Sequence, residues 1–180
     1  MAHLTASVEY SLHCLLWLMD AGDKPLSSRD LAELQGISPS FVAKLFPKLE
    51  KAGIVKANEG VRGGYVLARP PGEITFLQVI DAIEGFKPLF ECQEIRHRIA
   101  LFGDTPPAWA TDGLCSIHTV MIKAEDAMRA QLAAHTLADV AVAVVRKAPT
   151  DFKVEIQEWM DGLMKGRRPG RRLKTHTASS

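Results

Sequence analysis

Among the side chains that could do chemistry in this 180-residue chain, the three cysteines, Cys14, Cys92 and Cys115, stand out. Cys92 and Cys115 have 22 residues between them, a spacing that matches no standard ferredoxin run. Cys115-Ser116-Ile117-His118 has the look of a short ligand motif. On a helix beginning there, His118 lies one turn from Cys115 and could reach the same ion, although a place on the helix surface is the expectation. Glu9 and His13 are four residues apart and so share a helix face. They are an i,i+4 polar pair or half of a ligand set. Cys115 at a helix N-terminus would have its thiolate favoured by the positive end of the dipole, which suits ligation and oxidation equally. Cys14 lies beside an apolar stripe and reads as a small buried hydrophobe. A Cys–His pair can also serve nucleophilic catalysis, but no glycine-rich phosphate loop or nucleophile elbow accompanies it, so an enzyme is not expected. His97 and His135 carry no signal, and Trp109 reads as a shield for its loop.

A second kind of chemistry is written in the charge. The net charge is +1, yet residues 165–174 hold six basic groups and no acid, leaving the first 164 residues at −5. Within that acidic body, residues 38–69 carry Lys44, Lys48, Lys51, Lys56, Arg62 and Arg69 against only Glu50 and Glu59, a local +4. Such a patch is either a solvated helix face or an anion-facing surface.

The remaining composition narrows the class. Hydrophobic residues make up 47% and charged residues 24%, as expected of a globular chain that can bury a core. No run of 18 apolar residues exists, so no membrane partner is expected. Met1-Ala2-His3-Leu4-Thr5 lacks the features of a secretory signal, and three cysteines make no disulfide framework. A cytoplasmic setting is the expectation.

These groups need elements to position them. Apolar residues at helical spacing predict a first helix over 5–20. Ser27 and Asp30 offer a capping box for a short helix to about Gln35, and Gly36-Ile37-Ser38 makes the turn of a helix-turn-helix. Ser38 is placed to cap the third helix, about 39–52, with Pro39 at its first position. Pro47 predicts a kink near Ala43–Phe46 or a split. Gly53 ends that helix. Residues 54–56 and 65–67 read as short strands joined by a glycine-rich hairpin, and Thr75 with Gln78 opens a helix to Gly85.

Residues 86–115 lose this order. From Ser116 a long helix carries Ile117, Met121, Ala124, Met128 and Leu132 on one stripe, which suggests pairing with a second copy. A shorter helix from Thr136 to about Arg146 and a last one around Phe152–Leu163 follow. The basic tail reads as disordered.

The order is mainly α with a small β wing: a winged helix-turn-helix plus a long dimerisation helix. The divisions are a DNA-binding domain over 1–85, a ligand loop over 86–115, the dimerisation helix and its successor over 116–147, and a C-terminal helix with the basic tail over 148–180. In this arrangement Ser38, Ser40, Phe41, Lys44 and Lys48 face the major groove. Arg62 at the wing tip reaches the minor groove, and Gly63 and Gly64, followed by Tyr65, let backbone approach phosphate.

Leu49–Val55, Arg62-Gly63-Gly64-Tyr65-Val66-Leu67-Ala68, Ile74-Thr75-Phe76 and Ile83-Glu84-Gly85 together resemble the Rrf2 family of bacterial winged-helix transcriptional regulators. The resemblance spans about residues 1–147; Pro47 and the tail after Pro149 depart from it. It implies a homodimer on palindromic, double-stranded operator DNA. Many members sense through an iron–sulfur cluster held by three clustered cysteines, a pattern this chain does not match. Either the cluster is lost and the chain answers to a protein partner or to thiol oxidation, or other ligands replace the missing ones. Val8–Cys14 looks like the first helix of a redox-sensing branch of the family, and the family's dimer brings the loop of one subunit near the first helix of the other. The resemblance thus favours a 2Fe–2S cluster ligated by Cys92 and Cys115 with Glu9 and His13, the mixed kind of set known from Rieske centres.

Overall fold

A computed structural model describes residues 4–60 and 63–164. Arg62 at the expected wing tip and the basic tail therefore lie outside the described residues.

Local signals account for most element boundaries. Helix α1, Ala6–Ala21, starts where the Thr5 side chain accepts from the Ser7 amide and ends at Gly22, whose φ is positive at 61°. Ser27 and Asp30 cap helix α2, Ser28–Gln35, reciprocally, and Gly36 closes it in the left-handed conformation that glycine adopts without strain. Helix α3, Pro39–Lys51, follows. Its expected side-chain cap is not made: the Ser38 hydroxyl bonds the Ser40 hydroxyl at 2.8 Å, and it is the Ser38 carbonyl that accepts from the Phe41 and Val42 amides, at 3.0 and 3.3 Å.

Pro47 does not split α3, which runs through it as one helix. Proline removes one i→i−4 bond and crowds the preceding turn. Here Pro47 and Ala43 both lie on the exposed side, so water can take up the freed carbonyl.

Strands β1, Val55–Asn58, and β2, Gly64–Leu67, pair antiparallel, with Val55 opposite Leu67 and Asn58 opposite Gly64. Leu26 adds a bridge on the other side of β2, exchanging both backbone bonds with Tyr65 at 3.1 and 2.9 Å. The wing is thereby fastened to the linker before α2. Helix α4, Phe76–Glu84, carries the Thr75–Gln78 capping box and stops at Gly85.

The irregular stretch holds two 3₁₀ turns, Ile95–Arg98 and Ala100–Phe102, and the single-turn helix α5, Ala108–Thr111. Helix α6 spans Ser116–Ala133, α7 spans Leu137–Lys147 behind a Thr136–Asp139 capping box, and α8 spans Phe152–Met164.

Leu15, Leu18, Leu31, Phe46, Leu49, Ile54 and Ile74 are fully buried in one core. Burying each such side chain contributes about 1.5–3 kcal/mol before the entropy of ordering it. Leu137 of α7 and Met160 of α8 join the same core, so it crosses the divisions expected at residues 85 and 147. A Thr75–Thr136 bridge, and the Gln157 amide donating to the Asp20 carbonyl at 3.0 Å, hold these later helices in place.

Helix α6 is the exception, an 18-residue helix with no buried residue. Met121 and Leu132 of the expected stripe are half-buried against their own chain. Ile117, Val120 and Met128 stand 61%, 64% and 43% exposed.

Candidate nucleic-acid interface and sulfur-ligand loop

The expected DNA-facing residues divide into two groups. Ser38, Ser40 and Lys44 are exposed along the start and outer face of α3, where a recognition helix presents its N-terminal turns to base edges and its lysines to phosphate. Phe41 is half-buried, its ring edge-on to Tyr10 of α1 at 5.6 Å. Lys48 is engaged within its own chain: its ammonium donates to the Ile83 carbonyl at 2.8 Å. That carbonyl lies in the last turn of α4, which has no intrahelical donor, so Lys48 works as a cap for a neighbouring helix.

The wing residues are likewise shaped by their own chain. Tyr65 lays its ring against Phe46 at 4.6 Å. A Cβ on Gly64 would stand 2.6 Å from the Leu26 carbonyl carbon, and one on Gly63 would stand 2.9 Å from the Asn58 carbonyl oxygen. Close approach of the chain's own backbone already demands glycine at both positions.

The sulfur loop assembles across a long sequence gap. Cys92, half-buried, directs its Sγ to Glu94 Oε1 at 3.6 Å. Glu94 Oε2 accepts from Arg96 Nε at 3.0 Å and Nη2 at 2.6 Å. Arg96 also donates to the carbonyls of Ala110 at 3.3 Å and Gly113 at 3.1 Å, tying the loop to the approach to α6. The Arg96 guanidinium, through its bonds to Glu94, holds that carboxyl below the usual range.

Cys115 occupies the N-cap position of α6. The His118 amide foremost, then that of Ile117, and the Arg96 charge and the Cys92 thiol beside it pull its pKa below the ordinary thiol value. His118 does not stand free on the helix surface. It is half-buried with its ring 5.9 Å from that of Phe90, and its nitrogen, Cys92 Sγ and a Glu94 oxygen lie within 4.8 Å of one another. Glu94 and Arg96 were not singled out in the sequence, where a Glu-x-Arg pair in an irregular stretch carries no distinguishing signal. Trp109, 79% exposed, packs edge-on against Phe102 at 5.8 Å.

Cys14 is fully buried, and burial pushes its thiol up to about 12. Glu9 and His13 lie exposed on one face of α1. Among the described residues of one chain they do not join the group formed by Cys92, Glu94 and His118.

A helix-turn-helix with a basic outer face, followed by a wing fastened to its base, defines a DNA-binding protein of the winged-helix class. Residues 4–143 match the Rrf2 family, described as an iron-dependent transcriptional regulator, and the chain belongs to that family. The protein rrf2 of Nitratidesulfovibrio vulgaris is 32% identical over 137 residues, covering 76% of this chain and 85% of that protein. The HTH-type transcriptional regulator IscR of Aliivibrio salmonicida is 40% identical over 89 residues, 49% of each chain. Among solved structures, CymR of B. subtilis, the global cysteine regulator, superposes with a TM-score of 0.63 at 26% identity, covering 79% of this chain and 98% of its own. The IscR of T. potens does so at 0.58 and 26%, covering 79% and 88%. The chain is thus a DNA-binding transcriptional regulator of the Rrf2 family with likeness to IscR, and its role is not enzymatic. Among the described residues no helix is long and apolar enough to cross a membrane.

Proposed function

We propose that the chain is a cytoplasmic homodimer that grips palindromic operator DNA through its two winged helices, and that an iron–sulfur group of the 2Fe–2S type between the subunits sets its affinity. The observation that carries this reading is the meeting of Cys92 and Cys115, distant in sequence, at the start of α6, with the Cys115 thiolate favoured. Both cysteines are free and half-buried, as ligands open to an incoming metal must be. The donors fit such a group. Cys92 and Cys115 would hold it as thiolates, together with Glu9 and His13 of a second copy, which lie exposed on α1. When bound, the group supplies a one-electron change of charge. Oxygen and nitrogen donors hold iron less firmly than sulfur does, so Glu9 and His13 would be the weaker of its ligands.

The exposed Ile117, Val120 and Met128 supply the pairing face between copies. The recognition helices of a dimer must match half-sites about 34–36 Å apart, so a small rotation at the shared ligands alters the grip on the operator. Protein purified without oxygen is expected to be brown, to contain iron and sulfide, and to lose its visible absorption in His13→Ala. Unchanged absorption in that variant removes the mixed ligand set. A dimer in sedimentation equilibrium that becomes monomeric in Val120→Glu supports the pairing face.

One observation favours a second reading in the same family. Cys115, with its pKa lowered beside Cys92, is placed for thiol oxidation, in which two thiols lose two protons and two electrons to an oxidant and become a disulfide. A cluster-free regulator switched in this way, or by a protein partner, purifies colourless and iron-free.

A further inference from the structure

We infer that Cys92, Glu94 and His118 of a single chain form a mononuclear site for a thiophilic divalent cation of the zinc(II) class, filled when the intersubunit iron–sulfur group is absent. The site stands on its own geometry. Only its competition with the cluster rests on the proposed role of Cys92.

The three donor atoms lie within 4.8 Å of one another, and every one of these residues is half-buried. Ligand atoms of a tetrahedral zinc stand roughly 3.4–3.6 Å apart, given Zn–S of about 2.3 Å and Zn–N or Zn–O of about 2.0–2.2 Å. Side-chain rotation covers the difference. Sulfur, imidazole nitrogen and carboxylate oxygen are the three donors zinc takes from proteins. One thiolate and one carboxylate balance the charge of the dication.

The surroundings already hold two of the donors in place. Glu94 presents Oε1 to Cys92 while Arg96 grips Oε2 with two bonds, of 3.0 and 2.6 Å. Arg96 is in turn anchored by the carbonyls of Ala110 and Gly113. A carboxylate with one oxygen free and the other fixed is how an outer shell orients a metal ligand. Phe90 packs edge-on against the His118 ring. Glu94 is the one non-glycine residue with positive φ among those described, at φ 46° and ψ 44°. Its Arg96 contacts offset that strain. Three protein ligands leave a fourth position for water. A cation here withholds Cys92 from the shared iron, so the two groups exclude each other.

The test uses the full-length chain, stripped of iron under reducing conditions and titrated with zinc(II) against a chromogenic chelator, then with cobalt(II). One zinc per chain is expected. Arg96→Gln should weaken binding about 10–100-fold, with larger losses in Glu94→Gln and His118→Ala. His13→Ala and Glu9→Gln should leave it within about twofold. Wild-type protein with cobalt(II) should show tetrahedral d–d bands and a thiolate-to-cobalt charge-transfer band, the latter absent in Cys92→Ser, with circular dichroism showing all variants folded. Equal zinc affinity in wild type and the Glu94→Gln/His118→Ala double variant overturns the site, as does loss of zinc in His13→Ala. Zinc binding in a preparation that never holds iron sustains the site while overturning the cluster. Cluster formation without zinc uptake does the reverse.

Discussion

Arg129 of α6 grips Asp81 of α4 with both arms of its guanidinium, Nη1 to Oδ1 at 3.0 Å and Nη2 to Oδ2 at 2.8 Å, and lies 5.1 Å over the ring of Phe86. On the other side, Lys48 of the recognition helix caps the same α4 at Ile83. Helix α4 is therefore pinned between the DNA-reading helix and the long helix that begins at the sulfur loop. A second tie lies near the loop, where Glu125 of α6 accepts from the Leu89 amide at 3.0 Å. A displacement at Cys115 has a continuous path of packed helix and charged bonds to α3.

Asp81→Asn should loosen this path. The two side chains are 29% and 35% exposed, so solvent screens part of the attraction, and the paired geometry keeps some of it. A loss of about 1 kcal/mol is expected, read from the urea midpoint at unchanged m-value.

The two lysines of α3 should behave differently on DNA. Lys44→Ala should lower operator affinity at low salt and reduce the slope of log K against log salt by about one ion's worth, the mark of a phosphate contact. Lys48→Ala should leave that slope nearly unchanged and instead cost about 1 kcal/mol of folding stability, because it removes a helix cap. Fluorescence anisotropy across a salt series, beside chemical denaturation, separates the two.

The three thiols should differ in reactivity. Metal-free protein treated with iodoacetamide should alkylate first at Cys115, and Cys14 should stay unmodified until the chain unfolds. Peptide mass spectrometry over time reads this order. The pH dependence has a definite sign. Folding lowers the Cys115 pKa, so its thiolate favours the folded state above the ordinary thiol pKa. That contribution fades as pH falls through the depressed value.

Gly64→Ala should weaken the wing with no DNA present. The added methyl meets the backbone of Leu26 and Ser27 at 2.6–2.9 Å, and backbone cannot rotate aside. A cost of about 1–3 kcal/mol is expected, with early amide exchange at Leu26 and Tyr65, whose mutual bonds fasten the wing.

Much of this architecture is legible in the chain because the signals are local. The Ser27–Asp30, Thr75–Gln78 and Thr136–Asp139 boxes each act across three residues, and Gly36 and Gly85 stop helices by their own backbone freedom. The order of helix, turn, helix and glycine-rich hairpin follows from them, as do the buried Cys14 and the apolar stripe of α6. What the chain could not disclose depends on distant partners. Lys48 reads as a groove lysine until α4 brings a bare carbonyl to it, and Gly64 reads as a phosphate approach until Leu26 is found against it. Pro47 reads as a break until its turn proves to face water. Glu94 and His118 sit 24 residues apart and come together only because Arg96 folds the loop back onto the start of α6. Capping and turn energies are settled within a few bonds of the residue itself, whereas a side chain's hydrogen-bond partner is settled by whichever surface the finished fold lays beside it.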